Sequence, residues 1–219
     1  TGIGTTIGGT GGLNFGDVEA LSFFGNTLYA IDDSSNQLIT IDTTTGAGTA
    51  VGALGVSVAG PGLAISASGD AFMGDRSGGD LWTVNLGTGA ATLLNGAIGA
   101  DLDGLTFLGN TLYGVDPGND SLYTVNTTTG TASLVGAGGT LNGLSTESAL
   151  ATDGTWLYAG DDDGDYFRIN PTTGVATVIT TNGTDVEGLA IKPTAVPVST
   201  TLALLGIGLI GFGFNKRKR

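Results

Sequence analysis

Apolar residues in this chain come in short runs of about five, separated by polar or glycine-bearing breaks, and the runs recur. Leu21-Ser-Phe-Phe-Gly-Asn-Thr-Leu-Tyr-Ala-Ile-Asp32 returns as Leu105-Thr-Phe-Leu-Gly-Asn-Thr-Leu-Tyr-Gly-Val-Asp116. Weaker copies run from Leu63 to Asp75 and from Leu150 to Asp161. A spacing near 42 residues marks an array of one small unit. Within the unit the pattern predicts four strands. The first is Leu21–Phe24, Leu63–Ile65, Leu105–Leu108 and Leu150–Thr152. The second is Thr27–Ile31, Ala71–Gly74, Thr111–Val115 and Thr155–Gly160. The third is Gln37–Ile41, Asp80–Val84, Ser121–Val125 and Asp165–Ile169. The fourth is Gly48–Val51, Ala91–Leu94, Ala132–Val135 and Val175–Ile179. In Leu122-Tyr-Thr-Val125 alternate residues face opposite sides and both sides are largely apolar, as in a sheet covered on both faces.

The breaks have their own chemistry. Gly-Asn, Ser-Gly or Asp-Gly joins strands one and two, which suits a tight hairpin. Asp42-Thr-Thr-Thr-Gly46, Asn85-Leu-Gly-Thr-Gly89, Asn126-Thr-Thr-Thr-Gly130 and Asn170-Pro-Thr-Thr-Gly174 join strands three and four. There the Asx side chain can accept from the backbone two residues on, and Gly supplies a positive φ. An Asp-rich loop joins strands two and three.

Four antiparallel strands in about 42 residues make a blade, and the expected fold is an all-β propeller. Thr1–Gly8 matches a turn plus strand four, and Asp185–Ile191 matches strand one. The expectation is therefore about five blades, with an incomplete closure blade whose two absent strands belong upstream of Thr1. Residues 1–193 form the propeller. Residues 194–219 form a linker, a hydrophobic helix and a basic tail.

Composition narrows the chemistry. There are 41 Gly and neither Cys nor His among 219 residues. Interior Gly disfavours long helices by about 1 kcal/mol each against Ala. The absence of Cys leaves no disulfide staples, and the absence of His and Cys excludes Ser-His-Asp, Cys-His and His-based zinc sites within the chain. All 20 acidic residues precede residue 194, where only Arg76, Arg168 and Lys192 oppose them. So acidic a body argues against nucleic acid as a partner.

The end of the chain is different. Val198–Phe214 is uncharged and is followed by Lys216, Arg217, Lys218 and Arg219. Seventeen residues of helix span roughly 25 Å, enough for a thin bilayer core. The basic end then reads as a cytoplasmic stop, with the body exported. This layout resembles the PEP-CTERM sorting signal of Gram-negative bacteria, with Val196, Pro197, Val198, Ser199 and Thr200 at the motif position; Val198 and Ser199 replace the family's Glu and second Pro. The resemblance implies tethering at the inner membrane, processing by an exosortase, and residence in the envelope or extracellular matrix. The blades resemble the NHL/YWTD propellers through Gly62-Leu-Ala-Ile65 with Gly69-Asp-Ala-Phe72, and through Gly188-Leu-Ala-Ile191. That likeness implies a fold and leaves activity open.

Paired acids precede strand one in three units: Asp17 with Glu19, Asp101 with Asp103, and Asp185 with Glu187. Carboxylates at i and i+2 of an extended chain point the same way. Strand one lines a propeller's channel, so the pairs are expected to converge on one rim of it. Oxygen donors alone suit Ca²⁺ or Mg²⁺; capping or solvation of the loops is the structural alternative. Glu187-Gly188 is similar to a metal-binding position of gluconolactonase-like propellers. Asp161-Asp-Asp-Gly-Asp165 has a calcium-loop look without the closing Glu of an EF-hand. Tyr29, Trp82, Tyr113, Trp156 and Tyr158 recur at strand positions and are expected in the core, a sugar-stacking rim being the other option. The reading that results is a non-catalytic propeller with a polysaccharide or protein ligand, with no required cofactor. Its alternative is a metal-dependent hydrolase or lactonase using Glu19, Asp103 and Glu187.

Overall fold

Glycine-bearing turns fold each repeat into a four-stranded antiparallel meander. The computed structural model describes residues 6–7, 13–96, 98–145, 148–181 and 186–192. The first blade is β1 (Val18–Phe24), β2 (Thr27–Asp32), β3 (Gln37–Ile41) and β4 (Gly48–Ala53). The second is β5 (Pro61–Ile65), β6 (Ala71–Asp75), β7 (Asp80–Val84) and β8 (Ala91–Asn95). The third is β9 (Gly104–Leu108), β10 (Thr111–Asp116), β11 (Ser121–Val125) and β12 (Ala132–Leu134). The fourth is β13 (Ala149–Thr152), β14 (Leu157–Gly160), β15 (Asp165–Ile169) and β16 (Ala176–Thr181). Strand order within every sheet is the order in sequence.

The turns work as their composition suggests. The side chains of Asp42, Asn85, Asn126 and Asn170 each accept from the backbone N–H groups two and three residues on, at 2.7–3.2 Å. Gly46, Gly89, Gly130 and Gly174 close these turns at φ of 71–80°, a conformation that disfavours any side chain.

The alternation places each face of a blade in a different core. Leu122 on one face of β11 joins Val115, Leu150, Leu157 and Phe167 between the third and fourth blades. Val125 on the other face joins Leu81, Leu102, Leu105 and Leu112 between the second and third. Ile31, Leu38, Leu63 and Met73 fill the space between the first and second. Apolar burial of this kind is worth roughly 25 cal/mol per Å², so each interface contributes to holding the array.

Residues 186–192 occupy a fifth inner position without strand pairing. The Val186 N–H donates to the Asp161 carbonyl at 3.1 Å. Gly188 presses against β1, where an added Cβ would stand 2.9 Å from Leu21 Cγ. The inner strands β1, β5, β9 and β13 and residues 189–192 together enclose one end of a central channel, a basin of about 410 Å³. On the flank of β1–β3, Ile7, Leu13, Phe15, Leu28 and Ile41 line an open apolar groove.

Among the described residues the one helical element is the 3-10 turn Pro117–Asn119, and no helix is long and apolar enough to cross a membrane. The predicted hydrophobic helix, Val196–Thr200 and Lys216–Arg219 lie outside the described residues.

Candidate functional site

Two sets of acids meet at the end of the channel where β1, β5, β9 and β13 begin. The first closes the second strand of the first three blades and directly follows it in the fourth: Asp32, Asp75, Asp116 and Asp161, each at most 5% exposed. Each accepts from the backbone leading into its own blade: Asp17 N–H to Asp32, Ala59 to Asp75, Asp101 to Asp116 and Ser145 to Asp161, at 2.9–3.2 Å. Each also accepts from the loop that follows it: Ser35 N–H at 3.0 Å, Ser77 N–H at 3.0 Å, Asn119 N–H at 3.1 Å and Asp165 N–H at 2.9 Å respectively. These carboxylates are internal staples. Burial alone would raise the Asp32 carboxyl; hydrogen bonds from Ser35, the Asp17 N–H and Ser34 outweigh it and hold the group below its ordinary range.

The second set lies at the start of the inner strands. Glu19, Pro61, Asp103, Ser148 and Glu187 occupy matching positions, each just ahead of a small residue: Ala20, Gly62, Gly104, Ala149 and Gly188. With Gly60 they line one cavity of about 10 Å³. The small residues are required by close approach. A Cβ at Gly62 would stand 2.1 Å from the Asp103 carbonyl oxygen, and one at Gly104 would stand 2.8 Å from the Leu150 Cβ. Asp103 is buried, 3.5 Å from Arg76 Nη1, and accepts from the Ser148 N–H at 3.4 Å. The Ser148 hydroxyl is also buried and has no hydrogen-bond partner among the described residues.

The predicted acids are thus partly gathered. Glu19, Asp103 and Glu187 share the cavity. Asp101 does not join them: it is exposed, while its neighbour at i+2 is buried. Its backbone N–H is held by Asp116, which fixes the chain there for a structural purpose. Asp185 lies outside the described residues. A carboxylate group among the described residues includes one that sequence reasoning missed: oxygens of Asp17, Glu19 and Asp33 lie within 4.8 Å of one another. Burial raises the Asp33 carboxyl above its ordinary value, and the nearby Asp17 charge adds to this; the Gly60 N–H opposes the shift. Asp33 has no acidic counterpart in the second or third blade, where Arg76 and Pro117 follow the stapling Asp. The usable signal was that irregularity beside a regular position.

Asp161-Asp-Asp-Gly-Asp165 is accounted for by the staple, since Asp161 accepts the Asp165 and Ser145 N–H groups. Tyr29, Trp82 and Tyr113 pack against the cores as expected. In the fourth blade the aromatic residues serve otherwise. Trp156 stacks under Arg168 at 4.6 Å, and the Tyr158 hydroxyl donates to Asp153 at 2.9 Å.

The opposite end of the channel is open. Leu21, Phe23, Ile65, Phe107 and Leu189 wall the larger basin, with Asp153 and Lys192 as its charged residues. Asp153 accepts from the Trp156 and Thr155 N–H groups and from Tyr158, which hold its carboxyl below the ordinary range.

No family model matches this chain, and no curated protein does. Solved structures are similar in fold. One is from the crystal structure of a nidogen/laminin complex, with a TM-score of 0.59 and 16% identity over 80% of this chain and 68% of that one. A protein of unknown function from Bacteroides thetaiotaomicron gives 0.54 and 16%, over 75% of this chain and 43% of that one. Virginiamycin B lyase from Staphylococcus aureus gives 0.50 and 12%, over 74% of this chain and 55% of that one. The latter two are thus matched over only about half their length. Likeness at such identities establishes a β-propeller and says nothing of chemistry.

Proposed function

We propose that this chain is an exported β-propeller acting as a non-catalytic binding module of the cell envelope or extracellular matrix. The observation that carries this reading is the contrast between the two ends of the channel. The acids share a cavity of about 10 Å³, room for one ion or water and none for a substrate beside it. The roomy end, about 410 Å³, has apolar and aromatic walls, and its carboxylate is committed to holding a turn. A hydrolase needs an ionisable group poised beside the bond it breaks. A binding site needs shape, apolar area and a few polar anchors, which the basin has. The similarity to a propeller found in a nidogen/laminin complex is in keeping with a protein partner; a polysaccharide suits the same basin through Phe23 and Phe107.

Residues 194–219 supply the location: a segment that tethers the body at the inner membrane until an exosortase-like peptidase acts at Val196–Thr200. The test is a panel of matrix polysaccharides and surface proteins against the full chain and its Phe107→Ala variant. Retention of one class, weakened at least tenfold in the variant, supports the reading. Turnover of a lactone or ester panel that disappears in Glu187→Gln would overturn it in favour of the metal-dependent hydrolase. Digestion by external protease in intact cells checks the location; protection of the body would remove the exported part.

A further inference from the structure

We propose that the small cavity at the acidic end of the channel is a structural site for one divalent cation of the Ca²⁺ class, and that the ion ties residues 186–192 to the blades. This goes beyond the binding reading and stands apart from it. Glu19 is the centre of the site. Its carboxylate belongs to the group with Asp17 and Asp33, in which the oxygens lie within 4.8 Å of one another, the span that ligation at 2.3–2.6 Å allows. It also lines the cavity shared with Asp103, Ser148 and Glu187.

A cluster of acids alone would be ordinary on a chain this acidic. The independent sign is Ser148. It is 4% exposed, lines the same cavity, and its hydroxyl oxygen is buried with no hydrogen-bond partner among the described residues. Leaving a buried hydroxyl without a partner is costly, and an ion or a water beside it removes that cost. The void, about 10 Å³, is of the size that one such particle fills.

The donor set selects the ion. It contains oxygen alone, which disfavours Zn²⁺. The three carboxylates that line the cavity, Glu19, Asp103 and Glu187, exceed the one positive charge of Arg76, which lies 3.5 Å from Asp103, and so favour two further positive charges over one. Mg²⁺ keeps several of its waters, and the cavity has no space for them; Ca²⁺ accepts irregular shells of protein oxygen. The cavity draws on the first blade through Glu19, the third through Asp103, the fourth through Ser148, and the closing segment through Glu187; Asp17 and Asp33 stand beside it through their group with Glu19. An ion bound there would add a tie between the closing segment and the blades to the bond from the Val186 N–H to the Asp161 carbonyl.

The experiment uses the full chain in mild detergent, stripped with chelator, at constant ionic strength. Adding about 1 mM Ca²⁺ is expected to raise the thermal midpoint by about 5 °C or more, since a ligand bound only by the folded state stabilises it. Mg²⁺ at the same concentration should give less than half that rise. Glu19→Gln and Ser148→Ala should each at least halve the Ca²⁺ rise, and Asp42→Asn, remote from the site, should keep it whole. If Glu19→Gln fails to fold, Asp33→Asn takes its place. No rise with Ca²⁺, an equal rise with Mg²⁺, or an undiminished rise in Glu19→Gln and Ser148→Ala would overturn the proposal. The ligand panel and the ester panel read the binding proposal separately, so either can fail alone.

Discussion

Two rings of side chains stand next to each other at one end of this propeller and differ in regularity. The outer ring is Asp in all four blades, at Asp32, Asp75, Asp116 and Asp161. The inner ring reads Glu19, Pro61, Asp103, Ser148, Glu187. Every blade meets the same backbone problem at the outer ring. The chain must turn from its predecessor into the inner strand and then cross to the third strand, and one buried carboxylate satisfies N–H groups on both sides. Every blade therefore has the same answer. The inner ring faces a common space, where five identical side chains would collide or repel. Its members differ because together they make one asymmetric cavity. Within a single repeat protein, identity across copies marks scaffold, and divergence at a matching position marks the place where a site can be built.

The sharpest way to break that distinction is to remove one staple. Asp116 accepts from the Asp101 N–H, the Asn119 N–H and Asn119 Nδ2, and is fully buried. Asp116→Ala leaves these donors unpaired, and a loss of about 3 kcal/mol is expected, measured as a lower urea midpoint. Glu187→Gln, read in chelator, should cost less than about 1 kcal/mol. Equal losses would mean that both rings are scaffold. A next smaller effect belongs to the glycines that let the rings come so close. Gly62→Ala forces a Cβ onto the Asp103 carbonyl, a contact with backbone that cannot rotate away. About 2 kcal/mol is expected, as for overpacking elsewhere, together with a change in the Ca²⁺ response, because Asp103 would have to shift. Stability that is unchanged in Gly62→Ala would show the inner ring to be looser than its geometry implies.

The same contrast explains what the sequence could and could not tell. A period near 42 residues, hairpin glycines and Asx-Thr-Gly turns are local signals, and the strands they predict lie within a few residues of those observed. The first strands start earlier than expected, at Val18 and Pro61, because pairing to β2 and β6 continues as far as Asp32 and Asp75. The stapling Asp was in view as the end of every Tyr-x-x-Asp or Phe-x-x-Asp run, yet it read as loop. Its partners are 15 or 16 residues upstream and have no side-chain signature. The pairing of acids at i and i+2 singled out Glu19, Asp103 and Glu187, which the fold brings to one cavity, and Asp101, which a bend in the incoming chain leaves exposed. It could not find Asp33, which reaches Glu19 from another loop.

Weaker effects come from the far end of the blades, where carboxylates hold exposed turns. Asp153 is kept below the ordinary carboxylate range by the Trp156 and Thr155 N–H groups and by Tyr158. A carboxyl depressed in the folded state adds stability that is complete above its unfolded pKa and is lost as pH falls through the folded one. The midpoint of wild type over Asp153→Asn should therefore be constant from neutral pH down to about 5 and converge below about 4. A gap that does not narrow between about pH 5 and about pH 2 would assign the effect to shape and not charge.

The smallest effect expected is also the cleanest internal control. Asp42 accepts from the Thr44 and Thr45 N–H groups through one oxygen, at 2.7 and 2.9 Å. Asn85, Asn126 and Asn170 make the same pair of bonds in the other blades. The fold has therefore already accepted the Asp-to-Asn exchange three times at this position. Asp42→Asn should leave the urea midpoint at neutral pH close to that of wild type. Those N–H groups hold the Asp42 carboxyl below its ordinary range, so wild type should lose its small advantage as the medium is acidified and the variant should not. Asp42→Ala removes the acceptor itself and should lower the midpoint at neutral pH more than Asn does, with the gap to wild type shrinking on acidification. If Asn proved as damaging as Ala, the turn would depend on charge. The three Asn turns would then have to differ from the Asp turn in a way that their matching hydrogen bonds do not show.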